Sequence, residues 1–316
     1  VSRTAFLFPG QGSQRPGMGR ALRDAFPESR AVFEEADDVL RESLSTLCFE
    51  GPEEDLRRTR NTQPAMLTVS YAAWRAAAVR GAGPDMAAGH SLGEYSALVA
   101  LGGLSFADAL RLTRRRAEFM QEAVPEGEGA MAAVLGLPAE TVAEVASEVT
   151  GRGDGLVEPA NFNGGGQVVI GGHTAAVSAA GKELKSRGAR RVLPLPVSAP
   201  FHTRLMEPAA ARLAAELDAI PFRDLVAPLW TNVDAAPVRT GAEAPGGAAP
   251  PGRLAGPLGG DPPGDGGGGR RYFRRDRSGQ GADRNGPQGV AGCLRVRSVR
   301  SGRGRTASGA GAGTGR

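Results

Sequence analysis

A serine held between glycines, three histidines and one arginine on an apolar helix face are the residues of this chain best placed to do chemistry. Gly89-His90-Ser91-Leu92-Gly93 fits the pattern G-x-S-x-G. There, small residues let a sharp strand-to-helix turn strain the backbone and present a serine hydroxyl at a sheet edge. The backbone N–H of Leu92, at the start of the next helix, would then point where an oxyanion forms. A glycine-bounded turn with an incidental serine is the competing explanation. The pattern demands a strand before it and a helix after it, and Asp85–His90 does read as a strand.

A serine nucleophile needs a base. His90 immediately precedes Ser91, so its side chain leaves the turn in another direction, which suits packing or hydrogen bonding. His173 opens a helix after a glycine pair, which suits a capping or surface role. His202 lies in the extended segment Val197-Ser-Ala-Pro-Phe-His and is left as the candidate general base. A core histidine is the alternative there, because separation in sequence says nothing about contact. No acidic residue stands out as a third member. Pro9-Gly10-Gln11-Gly12-Ser13-Gln14 lacks the lysine of a P-loop and the spacing of a dinucleotide fingerprint. A second oxyanion donor, the backbone N–H of Gln11, fits this turn better than phosphate binding.

Arg116 belongs to a helix opened by Ser105 and Asp108, spaced as in a capping box. Phe106, Ala109, Leu110, Thr113, Ala117 and Met120 recur at helical spacing and make its inward stripe. Arg116 falls on the edge of that stripe, with Arg114 and Arg115 expected to point away. A buried guanidinium needs an anion, either a carboxylate of the protein or one carried by a substrate and gripped at two points.

The elements that must position these groups alternate. Thr4–Phe8 is a short apolar run suited to a buried strand, and helical patterns follow near 17–43 and 63–80. Strands alternating with helices predict a parallel sheet covered on both faces. From about 127 to 198 the texture changes to a β-α-β-β-α-β order. Its strands are expected at Gly129–Gly136, Val157–Phe162, Gln167–Gly171 and Arg191–Val197, with helices at Pro138–Val149 and His173–Arg187. That order is the split motif of a ferredoxin-like domain, inserted into a larger α/β domain.

The 316 residues allow one large core or two unequal domains. No apolar run approaches the roughly 18 residues of a membrane span, and the N-terminal segment does not read as a secretory signal. A soluble, cytoplasmic, monomeric protein is expected. Cys48 and Cys293 stand in no metal-ligand spacing, so neither metal nor cofactor is expected. The pI of about 9.6 suggests nucleic acid at first sight. From Gly241 onward, however, arginines outnumber acids by more than the whole chain's +4, so the preceding part is net acidic. Basicity belongs to the tail, and neither nucleic acid nor membrane is expected as a partner.

Taken together, Phe8-Pro-Gly-Gln-Gly-Ser-Gln, Gly89-His-Ser-Leu-Gly-Glu-Tyr-Ser-Ala, Arg116, Asn161-Phe-Asn, Leu193-Pro-Leu-Pro-Val-Ser-Ala-Pro-Phe-His and Asn232-Val-Asp closely resemble the malonyl-CoA:acyl-carrier-protein transacylases of fatty-acid synthesis. The resemblance covers about residues 3 to 240. It implies an α/β-hydrolase-like parallel-sheet domain (1–126 and 199–244) carrying the ferredoxin-like domain (127–198). It also implies a ping-pong transfer from malonyl-CoA to the phosphopantetheine thiol of acyl carrier protein. Ser91 would carry the acyl group and His202 the proton, while Arg116 held the malonyl carboxylate. Gln11 and Leu92 would form the oxyanion hole, and Asn163 would line the pocket. Phe201 resembles the residue of malonyl-selective members. A related acyltransferase of polyketide synthesis and an inactive truncated homologue are the alternatives.

After about residue 244 the resemblance stops. The family continues with a P-V-R-W segment, further helices and a strand, and G-P-G-K-V-L. Here a Gly- and Arg-rich stretch follows, expected to be disordered over 245–316. In a displaced reading frame, Pro257-Leu-Gly-Gly-Asp permits R-W-E-E-T. Arg271 to Asn285 likewise permits D-T-F-V-E-I-G-P-G-K-V-L-T-G-M, so a frameshift near 241–247 accounts for the tail. The family's histidine is oriented by the backbone carbonyl of a glutamine, and the displaced frame allows a Gln opposite Pro251.

Overall fold

A computed structural model describes residues 3–197, 199–247 and the backbone of 292–296. The chain runs through β1 (Arg3–Phe8), α1 (Arg20–Ala25), α2 (Pro27–Leu40), α3 (Leu44–Glu50), α4 (Glu53–Arg57) and α5 (Thr59–Ala78). It continues with β2 (Met86–Gly89), α6 (Gly93–Ala100), α7 (Phe106–Glu122), β3 (Gly129–Leu135), α8 (Ala139–Gly151), β4 (Val157–Gly164) and β5 (Gln167–His173). Next come α9 (Thr174–Ser186), β6 (Arg191–Pro194), a 3-10 turn (Arg204–Met206), α10 (Glu207–Asp218), β7 (Leu229–Trp230), β8 (Pro237–Val238), α11 (Ala244–Gly247) and β9 (Gly292–Val296).

Two sheets organise these elements. The first has the order β8-β7-β2-β1-β9. Its centre is parallel, β1 beside β2 and β2 beside β7, and antiparallel β8 and β9 close its edges. Turns after the three parallel strands therefore gather at one end of the sheet, where open α/β sheets keep their ligands. The second sheet, β4-β5-β3-β6, is antiparallel throughout. Its β3 shows why a strand alternates. Met131 and Ala133 join the main core with β1, α5 and α7, whereas Ala132 and Val134 join a separate core with α8 and α9.

Several expected boundaries shift. The helical stretch near 17–43 is two helices, α1 and α2, because Pro27 supplies the first position of the second and Phe26 between them is extended. Helix α5 starts at Thr59 rather than 63 and accommodates Pro64 inside it. Helices α3 and α4 were not expected; neither exceeds seven residues, too short for periodicity to register. The last strand of the second sheet stops at Pro194 instead of Val197.

One segment within the stretch expected to be disordered, 245–316, is regular. Gly292–Val296 is a strand, antiparallel to β1. It covers the edge of β1 that β2 leaves open, so the backbone groups on that side have partners. The rest of the tail, Pro251 and Arg271 to Asn285 included, lies outside the described residues.

Candidate active site

Ser91 caps β2 in a turn whose geometry the flanking glycines make possible. A β-carbon on Gly89 would lie 1.9 Å from the Gly93 carbonyl carbon, and one on Gly93 would lie 2.2 Å from the Phe8 carbonyl oxygen. No side chain fits either place. Ser91 itself has φ 51°, in the left-handed region that non-glycine residues enter at a cost of roughly 1–3 kcal/mol. The helix starts at once: Gly93 N–H donates to the His90 carbonyl and Tyr95 N–H to the Leu92 carbonyl. All eight residues of α6 are buried.

The strain is held by Asn232, at the end of the strand next to β2. Its Oδ1 accepts the Ser91 N–H at 3.0 Å, and its Nδ2 donates to the Gly89 carbonyl at 2.8 Å. Glu94, the one charged residue of α6, accepts from the Asn232 backbone N–H at 2.9 Å and also from Nδ2. Glu94 is 1% exposed. Burial pushes its carboxyl up to about 8, against the opposing pull of the Asn232 hydrogen bonds and the Arg116 charge.

Two groups meet at the serine hydroxyl. His202 Nε2 lies 2.9 Å from Ser91 Oγ. His202 also has positive φ, 60°, on a segment braced by Thr203, whose hydroxyl donates to the Pro200 carbonyl at 2.6 Å. Burial pulls the imidazole down to about 3, and the Arg116 charge and His90 add to this, so the ring is neutral. Arg116 reaches the site from α7. Its Nη2 donates to Ser91 Oγ at 3.1 Å and its Nη1 to Gln63 Oε1 at 2.7 Å. The guanidinium carbon is 5.8 Å from the Tyr95 ring centroid. Arg116 is 4% exposed, and among the described residues it makes no salt bridge. A dry cation beside a nucleophile, with no carboxylate in salt-bridge reach among the described residues, is arranged for an anion brought in from outside.

The remaining predicted site residues make contacts of their own. Gly10 packs so closely on the elbow that a β-carbon there would lie 2.6 Å from the His90 carbonyl oxygen, which carries Gln11 alongside it. The Gln11 side chain donates to Thr59 Oγ1 at 3.3 Å. Leu92 is buried at the helix start. Asn163, at the tip of the β4–β5 hairpin, donates to Gln167 Oε1 at 3.0 Å, and burial lowers the pKa of the His90 imidazole. Phe201 packs into the main core next to His202. His173 is structural: its Nδ1 accepts the Leu156 N–H at 2.8 Å.

One expectation fails. Arg114 does not point to solvent but is 6% exposed, donating to Glu42 at 2.6 Å and Asn61 at 3.3 Å. Helix α7 is covered on a second side by α2, which the stripe alone does not reveal. Gln63, Glu94 and Asn232 were missed as site residues. Glu94 left a signal, an acid in an otherwise apolar helix three residues after the nucleophile. Asn232 left another, since it follows a parallel strand at the same sheet end as Gln11 and Ser91. Gln63 left none.

A serine in a strained strand–helix turn, with a neutral imidazole on its hydroxyl, is the equipment of an enzyme that works through a serine ester. Residues 5–243 match the profile of the acyl transferase domain. The malonyl CoA-acyl carrier protein transacylase of Bacillus subtilis is 52% identical over 235 residues, 74% of this chain and 74% of that protein. The transacylase of the same name from Escherichia coli is 50% identical, over 74% of this chain and 75% of its own length. Among solved structures, an acyl-carrier-protein S-malonyltransferase from Burkholderia pseudomallei superposes with TM-score 0.74 at 45% identity, covering 79% of this chain and 82% of that one. A malonyl-transacylase in complex with a type II polyketide acyl-carrier protein gives TM-score 0.75 at 45% identity, with the same coverage. The chain belongs to the acyl transferase family, among its malonyl CoA-acyl carrier protein transacylases.

Among the described residues no group of three or more His, Cys, Asp or Glu is placed to hold a metal ion, and no helix is long and apolar enough to cross a membrane.

Proposed function

We propose that the chain transfers a malonyl group from malonyl-CoA to the phosphopantetheine thiol of an acyl carrier protein through a Ser91 ester. The observation that carries this reading is the meeting of His202 Nε2 and Arg116 Nη2 on one serine oxygen, at 2.9 and 3.1 Å. The malonyl carboxylate displaces the Arg116 contact with Ser91 and takes up the guanidinium. Ser91 Oγ then attacks the thioester carbonyl as its proton passes to His202 Nε2. Collapse of the tetrahedral intermediate breaks the carbon–sulfur bond, and His202 returns the proton to the leaving sulfur of CoA. The carrier thiol repeats the sequence in reverse: its proton goes to His202, its sulfur attacks the ester, and Ser91 Oγ leaves with that proton. The Ser91 N–H is already bonded to Asn232, so the oxyanion falls to other donors, and we assign it to the N–H groups of Leu92 and Gln11. Asn163 and Phe201 are assigned to the pocket wall.

The double-reciprocal plot tests this: rates against malonyl-CoA at several fixed concentrations of holo-carrier protein should give parallel lines. Intersecting lines would mean a ternary complex and no ester. A simple serine hydrolase has no use for the buried Arg116. A carrier protein of polyketide synthesis is the alternative acceptor, favoured by the complex noted above.

The antiparallel order β4-β5-β3-β6 with α8 and α9 on one face supports reading 127–198 as a ferredoxin-like domain inserted between 1–126 and 199–244. The end of the family match at residue 243 supports a shifted frame beyond it, and the DNA across codons 240–290 tests that.

A further inference from the structure

We infer that Asn232 and Glu94 act as a positioning pair that holds the nucleophile elbow in its reactive shape: the Asn232 amide clamps both ends of the turn, and Glu94 fixes the amide. The inference rests on the reading of Ser91 as nucleophile and goes beyond it, since neither residue touches a reacting atom.

Three observations carry it. A single side chain bridges the residue before His90 and the one after it, because Asn232 bonds the Gly89 carbonyl through Nδ2 and the Ser91 N–H through Oδ1. A neutral amide offers an acceptor and a donor side by side to a turn needing one of each. The turn is strained at Ser91, φ 51°, and a strained residue persists only where its surroundings over-determine it.

The amide in turn is not free to rotate. Glu94 accepts from the Asn232 backbone N–H and from Nδ2 on one carboxyl oxygen, so backbone and side chain are tied together. The second Glu94 oxygen, Oε1, has no partner among the described residues. A buried carboxyl group that spends one oxygen on two N–H donors from a single residue is aimed at that residue. Flipping the Asn232 amide would set its oxygen against the Gly89 carbonyl oxygen and its N–H groups against the Ser91 N–H, so the turn itself selects the orientation that leaves Oδ1 for Ser91.

The test compares wild type with Asn232→Ala, Asn232→Asp, Glu94→Gln and Glu94→Leu, after thermal melts confirm which variants fold. Two rates are read: burst release of CoA from malonyl-CoA, and labelling of Ser91 by a fluorophosphonate, which reports an activated serine whatever the acyl group. Displacing the hydroxyl by about an ångström costs on the order of 100-fold. Asn232→Ala should therefore lose about that much in both rates, with the KM for malonyl-CoA little changed. Asn232→Asp, equal in size, should lose as much, because it has no Nδ2 donor and sets two carboxyl groups together. Glu94→Gln keeps a carbonyl oxygen for the Asn232 donors and should recover most of what Glu94→Leu loses.

Folded Asn232→Asp with both rates within about twofold of wild type would overturn the inference, as would Glu94→Gln falling as far as Glu94→Leu; twofold is well below the roughly 100-fold expected. A wild-type Ser91 that reacts with neither reagent would instead overturn the underlying reading of the nucleophile.

Discussion

Replacing Arg116 by alanine should reverse the enzyme's choice of acyl group. In the folded protein this guanidinium is 4% exposed and makes no salt bridge among the described residues, so it is held in readiness for a carboxylate. Removing it leaves a malonyl carboxylate to be buried beside the Tyr95 ring with no counter-charge. Breaking one partner of a buried pair costs about 3–5 kcal/mol. With roughly 1.4 kcal/mol per factor of ten, kcat/KM for malonyl-CoA should fall by about 10²- to several 10³-fold. Acetyl-CoA carries no such charge and should lose far less, so the malonyl-to-acetyl ratio is the quantity to measure. A second effect runs the other way. The Arg116 charge helps to lower the His202 imidazole, so in the variant that pKa rises toward 6.5 and the acid limb of the acylation rate moves to higher pH. Stopped-flow release of CoA from each thioester, taken across pH, reads both. Equal losses with the two thioesters would refute the carboxylate socket and leave Arg116 a mere support for Ser91. An unmoved acid limb would refute its electrostatic reach to His202.

Other expectations follow from the same geometry. His202→Ala should slow acylation by at least about 10²-fold, the low end for a general base, with the KM for malonyl-CoA nearly unchanged in steady-state assays. Glu94 has a folded pKa of about 8 against an ordinary 4.5, so the folded state holds a proton that the unfolded chain releases. Stability should therefore decline as pH rises from about 4.5 to about 8, and Glu94→Gln should flatten that slope in urea melts. A slope unaffected by the substitution would assign it to another group. Gly93→Ala drives a β-carbon to 2.2 Å from the Phe8 carbonyl oxygen. No flexible side chain can yield there, and a loss of about 3 kcal/mol or more in a denaturant titration is expected.

What could be read from the sequence divides along physical lines. The elbow was legible because its glycines are required by backbone contacts within one short stretch, Gly89 against Gly93. His202 and Arg116 were legible because the chain has few histidines and because a cation on a helix stripe needs an explanation. The β-α-β-β-α-β run was legible because β3 and β5 alternate cleanly between two cores. Gln63 was not: it is an uncharged amide whose role lies in one long-range bond, to Arg116, and no local periodicity encodes such a bond. Arg114 was misjudged because its burial depends on a second helix packing over α7. The short α3 and α4 fell below the length at which a period can be recognised.

The central claim is that Ser91 becomes acylated. Wild-type protein mixed with malonyl-CoA, quenched in acid and digested, should yield one modified peptide, the one containing Ser91, heavier by a single malonyl group. Addition of holo-carrier protein before the quench should discharge it. A malonyl group found on another residue, or turnover of malonyl-CoA by a Ser91→Ala protein at an undiminished rate, would contradict the account.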